Sequence, residues 1–304
     1  MEENKREFKL MRRRGFSAEY IFDFFNILFL GFLAVCCVLP FINVIAVSLS
    51  DSSAATAGMV GLWPVKFSLD SYMFAFQKVR FLLSMKNSAI RVILGVAVNM
   101  ALTIITAYPL SKTVKELKGR TFFAWFFVIT MLIGGGTIPT YLIVMWTGLR
   151  NTVWSMILPG AVPVYNVVIL LNFFKQLPKE LEESAVIDGA GDFRIFLRII
   201  IPLSMPCIAT LIVFQTVGHW NDWFSGMIYL DNIEKYPLAT YLHNVLQRPN
   251  FDNMELQEIQ RVMKISNRTL SDAQILIGAL PIIMVYPFLQ RFFVKGMVLG
   301  SLKG

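Results

Sequence analysis

Two histidines and three cysteines in 304 residues leave little material for catalysis. His219 and His243 have neither a nucleophile nor a metal-ligand neighbour at useful spacing. Cys36, Cys37 and Cys207 lie in or beside apolar segments, with no metal pattern and no disulfide framework, so they read as packing residues. No phosphate-binding loop with its glycines and terminal Lys-Ser or Lys-Thr occurs, so the chain does not hydrolyse ATP itself. Paired carboxylates inside apolar segments are missing too. These absences argue against an enzyme and against any metal or cofactor. Charge is also scarce: 16% of residues are Asp, Glu, Lys or Arg, against 56% hydrophobic, and the mean hydropathy is +0.59. A soluble domain carries about 25% charged residues. The composition is that of an integral membrane protein.

The net charge of +8 could suggest a nucleic-acid partner. The basic residues instead cluster in short segments beside apolar runs, the bias that orients membrane proteins, and no nucleic acid is expected. Lys5, Arg6, Lys9, Arg12, Arg13 and Arg14 precede the first run and place the N-terminus in the cytoplasm. That run is too long for the apolar part of a signal peptide and reads as a span.

Hydropathy predicts six spans in an all-α membrane protein with both termini cytoplasmic. Span 1 covers about Ile21–Leu49, with a kink expected near Pro40 and Asn43. Residues 50–86 form an outer segment whose stretch around Asp70 can make a short surface helix. Span 2 covers about Asn87–Leu110, where Arg91 is expected to snorkel to the outer headgroups. Lys112, Lys115, Lys118 and Arg120 mark an inner loop. Span 3 runs from Thr121 to about Ile133 and meets Gly134, Gly135, Gly136 and Pro139, which predict a break near the outer leaflet. Span 4 is about Val153–Phe174, span 5 about Leu203–Tyr229, and span 6 about Asp272–Phe293. Residues 230–270 make an outer loop with a helical segment near Leu238. Arg291, Lys295 and Lys303 close the chain on the inside.

Between spans 4 and 5 lies a short charged stretch, Pro178–Pro206, which parity of crossings places inside. Pro178 suits a first helical position, and Glu180, Glu182 and Glu183 suit the positive end of a helix dipole. Gly189 and Gly191 permit the turn that ends this helix. A second helix follows, with Phe193, Phe196, Leu197, Ile200 and Ile201 as its apolar stripe and Arg194 and Arg198 on the other side. Helix, tight turn and helix make a knob that can dock into a partner's cleft, or an amphipathic interfacial helix with no partner.

The most polar place within a span is Gln215–Trp223. Asp in mid-membrane costs about 2.5–3.5 kcal/mol on insertion scales, so Asp222 is expected to face protein or a water-filled cavity. Gln215, His219 and Asp222 share one helix face, and Trp220 and Trp223 a neighbouring one. Amide, carboxylate and aromatic groups suit a sugar, with hydroxyls to bond and C–H faces to stack. The alternative is that Asn221 and Asp222 join span 5 to another helix while the tryptophans sit in an interface belt.

The stretch Glu183, Ala185, Asp188, Gly189, Ala190, Phe196, Ile199 and Pro202 resembles the EAA loop of binding-protein-dependent ABC importer permeases, with Ser184 in place of the second-position Ala. Trp220-Asn221-Asp222 resembles a motif of the sugar-importing branch. Gly134–Thr152, Asn172–Ala190, Tyr236–Leu242 and Arg291–Gly304 are similar to the MalG-like second permeases of carbohydrate importers, of the LplC/YtcP type. The resemblance implies a MetI-like type I importer permease in a bacterial cell membrane, paired with a MalF- or LplB-like permease, a cytoplasmic ATPase dimer and an extracellular sugar-binding protein, and carrying an oligosaccharide. It implies a tail at 1–20, a first helix with outer segment at 21–86, a permease core at 87–293 with its coupling loop at 178–206, and a C-terminal tail at 294–304. Glu183, Ser184, Ala185, Asp188, Gly189 and Ala190 would couple to the ATPase. Gln215, His219, Trp220, Asn221 and Asp222 are candidates for the substrate pathway. A permease for another solute and an ion-coupled secondary transporter are the rivals; the latter needs several intramembrane ionisable groups, of which Asp222 is one.

Overall fold

The structure is a computed structural model, and it describes residues 2–247 and 267–301. The expected outer loop falls partly outside these, and the side chains of the basic N- and C-terminal residues are likewise outside the described set. Among the described residues the fold is helical, with one isolated β-bridge between Ser50 and Phe67. The chain divides into two compact units.

The first unit comprises the chain up to Ala75 and the start of the last helix through Leu276. Helix α1, Glu2–Ser48, continues through Pro40. Its apolar part, Tyr20–Ser48, is exposed along most of its length, as a lipid-facing span would be. Asn43 donates to the Gly61 carbonyl at 2.6 Å. Asp51 then caps the short α2, Ser52–Thr56, by accepting from the Ser53 N–H at 2.9 Å. Ala46, Val47, Ala54, Ala55 and Val60 make a small core beneath it. The surface helix expected near Asp70 is α3, Asp70–Gln77.

The second unit runs from Phe76 and is rejoined by the last helix from Ile277. Its axis is α4, Val79–Ser111, a single helix that starts before the Asn87 expected from hydropathy. The unit continues through α5 (Arg120–Leu132), α6 (Thr137–Trp146), α7 (Val164–Gln176), α8 (Lys179–Ile187), α9 (Asp192–Leu203), α10 (Met205–Asn221), α11 (Phe224–Tyr229), α12 (Leu238–Gln247) and α13 (Asn267–Ser301), the last shared with the first unit. α4 packs lengthwise against α7 and α10. Met100, Ala107 and Leu110 of α4, Leu170 and Phe174 of α7, and Leu211 of α10 form the heart of the core, with Ala185, Ile195 and Ile200 from the α8–α9 region.

Three predicted spans are bent. The expected break at Gly134–Gly136 is present: α5 and α6 meet at 112°, and Gly136 takes φ +78°, a conformation glycine adopts without a Cβ penalty. Span 4 is not one helix. Tight 3₁₀ turns from Val153 to Gly160 meet α7 at 50°, because Pro159 and Pro163 each remove a backbone donor. Span 5 breaks at Asp222, where α10 ends, and at its start, Ser204, the second helix of the charged stretch, α9, meets α10 at 74°. α9 opens into a π turn at Phe196–Ile200, with the Ile201 N–H reaching the Phe196 carbonyl. Pro202 explains it: its ring would strike the carbonyl four residues back, and a wider turn relieves the clash. The π turn also undoes the predicted stripe. Phe193 and Leu197 are exposed, while Ile195, absent from the stripe, is buried with Ile200. Among the described residues, two helices are long and apolar enough to cross a membrane alone, and up to five spans result by length and composition if each bent pair counts as one.

Candidate functional site

Two places gather the chemistry-bearing residues of the second unit: a polar cavity between α4 and α10, and the α8 turn.

The cavity has a volume of about 270 Å³ and is lined by Arg91, Asn99, Ser155, Gln215, His219, Asp222 and Tyr229, among others. Asp222 sits where one helix ends and the next begins. Its N–H closes α10 on the Gly218 carbonyl at 3.2 Å, and its Oδ1 accepts the Ser225 N–H at 3.1 Å, capping α11. The other carboxylate oxygen pairs with the Arg91 guanidinium, whose Nη1 also donates to the Asp222 main-chain carbonyl at 2.7 Å. The Arg91 side chain is 1% exposed and that of Asp222 30% exposed. Arg91 therefore does not snorkel to headgroups. A neutralising partner inside the protein outweighs the reach to the interface, because an ion pair is stronger where the surroundings are less polar.

Two turns further along α4, Asn99 donates through Nδ2 to Gln215 Oε1 at 2.7 Å and lies 3.2 Å from His219 Nε2. The close approach of α4 and α10 depends on Gly95: a Cβ there would lie 2.5 Å from His219 Nε2. Arg91 Nε and Asn99 Oδ1 are buried without a protein partner. Such atoms cost about 1–3 kcal/mol each when unmet.

Of the five pathway candidates, Gln215, His219 and Asp222 come together on this cavity. Trp220 and Asn221 do not. The Trp220 indole N–H donates to the Gly278 carbonyl at 3.0 Å, and Asn221 is exposed at the end of α10. Trp223 lies past the helix end and stacks on His243, ring centroids 3.8 Å apart. Arg91 and Asn99 were not among the candidates. The signal was present: Arg91 is the one charged residue within predicted span 2 and Asp222 the one carboxylate within predicted span 5.

At the α8 turn, Ala185 roots the helix in the core at 8% exposure, while Glu183, Ser184, Asp188 and Gly189 are exposed and Ala190 is half-buried. The end is a Schellman motif. The Ala190 N–H bonds to the Ala185 carbonyl at 2.9 Å and the Gly189 N–H to the Val186 carbonyl at 3.0 Å, with Gly189 at φ +78°. Asp188 is the last half-helical residue, and its N–H reaches the Ser184 carbonyl at 3.0 Å. The turn holds up an apolar tip: Ile187 is 86% exposed, and Val186 and Phe193 are exposed as well. Exposed apolar side chains flanked by Glu183 and Asp188 are what a protein groove would cover. Among the described residues no group of histidine, cysteine and carboxylate side chains could hold a metal ion.

Residues 100–299 match the family described as "binding-protein-dependent transport system inner membrane component". The chain is similar to Protein LplC of Bacillus subtilis (strain 168), 41% identical over 93% of this chain and 95% of the relative. It is similar to the polygalacturonan/rhamnogalacturonan transport system permease protein YtcP of the same organism, 38% identical over 92% and 98%. In three dimensions it resembles a chain of a bacterial ABC transporter involved in the import of the acidic polysaccharide alginate, with a TM-score of 0.83, 29% identity, and 91% and 98% of the two chains covered.

Proposed function

The chain belongs to the family of binding-protein-dependent transport system inner membrane components, and from that premise we propose how its geometry serves transport. It is a permease subunit of an ATP-driven importer of sugars in the bacterial cell membrane, not itself an enzyme. It acts with a second permease, an ATPase pair and an extracellular binding protein.

The α8 tip enters a groove on the ATPase subunit. Glu183, Ser184, Asp188 and Gly189 face that partner, while Ala185 and Ala190 seat the helix against the rest of the permease. Closure of the ATPase pair on ATP displaces this tip. The paired permeases then exchange inward- and outward-open arrangements, and the loaded binding protein favours the outward-open one by binding it better. The observation that carries this reading is the division of α8 into a buried root at Ala185 and an exposed tip at Ile187. A lever needs both ends.

The cavity at Arg91, Asn99, Gln215, His219 and Asp222 is the stretch of pathway that meets the sugar. Its amide, imidazole and hydroxyl groups suit oligosaccharide hydroxyls, and Arg91 and Asp222 neutralise each other, so a sugar enters without an uncompensated charge beneath it. Trp220 and Asn221 act at a distance from this cavity, Trp220 by tying α10 to the Gly278 carbonyl of α13.

The test of the lever is Gly189→Asp in the assembled complex. The expected result is normal assembly, lost sugar uptake and lost stimulation of the ATPase by loaded binding protein. Normal uptake with normal stimulation would refute the mechanism.

A further inference from the structure

Between the inner end of α4 and α8 lies a set of contacts that the lever as described does not use. Lys112 directly follows α4, and its ammonium pairs with the Glu182 carboxylate on α8. The same ammonium lies 4.7 Å from the centre of the Tyr108 ring. That ring packs on Phe196 in the π turn of α9, centroids 4.6 Å apart, and meets Phe174 of α7 edge-on at 6.1 Å. The Lys112 and Glu182 side chains are 21% and 31% exposed, so water and salt screen the pair less than an open surface pair. On its other side the end of α4 is held by Arg120, whose Nε donates to the Leu110 carbonyl at 2.8 Å.

The covalent links of α8 are turns at both ends. Leu177 and Pro178 join it to α7, and the Schellman turn at Gly189 joins it to α9. A short helix joined by two turns and seated through Ala185 alone on its buried face can still pivot about that point, and a push on its tip would then be spent locally. α4, in contrast, is one unbroken helix that carries Tyr108 near its inner end and Asn99 and Arg91 farther along. Arg91 and Tyr108 are about 25 Å apart along its axis at 1.5 Å per residue.

We propose that Tyr108, Lys112 and Glu182 brace α8 to α4, so that the coupling helix and the cavity wall bearing Arg91 and Asn99 move as one rigid piece. The proposal rests on the transport reading above. It makes Lys112 and Glu182 positioning residues that set how far a displacement of α8 is passed to the cavity. A merely local role would show instead as poorer assembly, with transport per ATP unchanged in the complex that forms.

Two measurements on the full complex decide it. With Cys36, Cys37 and Cys207 replaced by serine, spin labels at Lys179→Cys, the exposed first residue of α8, and Arg80→Cys at the outer end of α4 report their separation by pulsed EPR. The brace requires the same distance without nucleotide and after trapping with ATP and vanadate, and a shifted or broadened distance once Glu182→Gln is added. In proteoliposomes supplied with oligogalacturonides and alginate oligosaccharides, sugar moved per ATP hydrolysed should fall about fivefold in Lys112→Met and Glu182→Gln, the low end of site-to-site couplings. It should recover in the exchanged pair Lys112→Glu with Glu182→Lys. A distance that changes between states with the brace intact overturns the proposal, as do single variants at the normal ratio or an exchanged pair no better than the singles. Intact complex that imports neither sugar with ATP would contradict the substrate reading, while the distance measurement still decides the brace.

Discussion

Replacing Asp222 by asparagine would leave the Arg91 guanidinium in place without its countercharge. Removing one partner of a buried ion pair costs about 3–5 kcal/mol, because the remaining charge stays desolvated. The Arg91 side chain is 1% exposed, whereas that of Asp222 is 30% exposed on the cavity side. The two single substitutions should therefore differ. Asp222→Asn strands the cation and is expected to cost about 3 kcal/mol, while its side-chain oxygen can still accept the Ser225 N–H. Arg91→Met leaves a carboxylate that cavity water can reach, and should cost about 1–2 kcal/mol. The double variant carries no charge in either position and should cost about 1 kcal/mol, less than the sum of the singles, a coupling of the size expected for contacting residues. The assay is retention of intact complex after heating in detergent, for wild type, both singles and the double. Asp222→Asn should lower the midpoint by an amount on the order of ten degrees. A double variant that loses the sum of the two singles would refute the pairing. So would Arg91→Met being the more damaging single.

Gly95→Ala should lower the same midpoint and reduce uptake, because its Cβ would lie 2.5 Å from the His219 ring, and overpacking of this kind costs about 1–3 kcal/mol; Gly218→Ala, with open space at its Cβ, should keep the wild-type midpoint. At Gly189, where φ is +78° and the space is open, Asn should be tolerated far better than Val, since the cost is backbone strain and not a clash; equal ATPase stimulation by loaded binding protein in the two variants would contradict this. Burial pulls the Lys112 ammonium down, but its hydrogen bonds with Glu182 and Tyr108 prevail and hold it above the ordinary 10.5. A raised cation contributes its full stabilisation below the unfolded value and loses it only as pH rises through the folded one. Sugar moved per ATP should thus show no pH dependence arising from titration of Lys112 between about pH 6 and about pH 9, and a pH-dependent loss in that window that Lys112→Arg removes would count against the pair.

The α8 turn was legible because its signals are local. A proline before the helix, acidic residues in its first turn and glycines after it act through the backbone of their own neighbourhood. The Gly134–Gly136 break was legible for the same reason. The stripe on α9 was not, since Pro202 forces a π turn that shifts the phase of the helix and exchanges Phe193 and Leu197 for Ile195. Hydropathy also hides bends, because Val153–Phe174 scores as one apolar run whatever its axis does. At the cavity, Gln215, His219 and Asp222 were found from their spacing, while Arg91 was given the role that a lone basic residue near a span end usually takes.

What the sequence by itself determined is the solvent the chain folds in and the exposed turn at Gly189, each of which depends on composition or on neighbours along the chain. Only the tertiary structure decided that Arg91 answers Asp222, 131 residues away, and that Asn99 joins Gln215 and His219. The physical reason is that a charge or amide in an apolar segment must find a partner. Which partner depends on how closely two helices approach, and here the approach of α4 to α10 depends on a glycine that has no side chain to keep them apart.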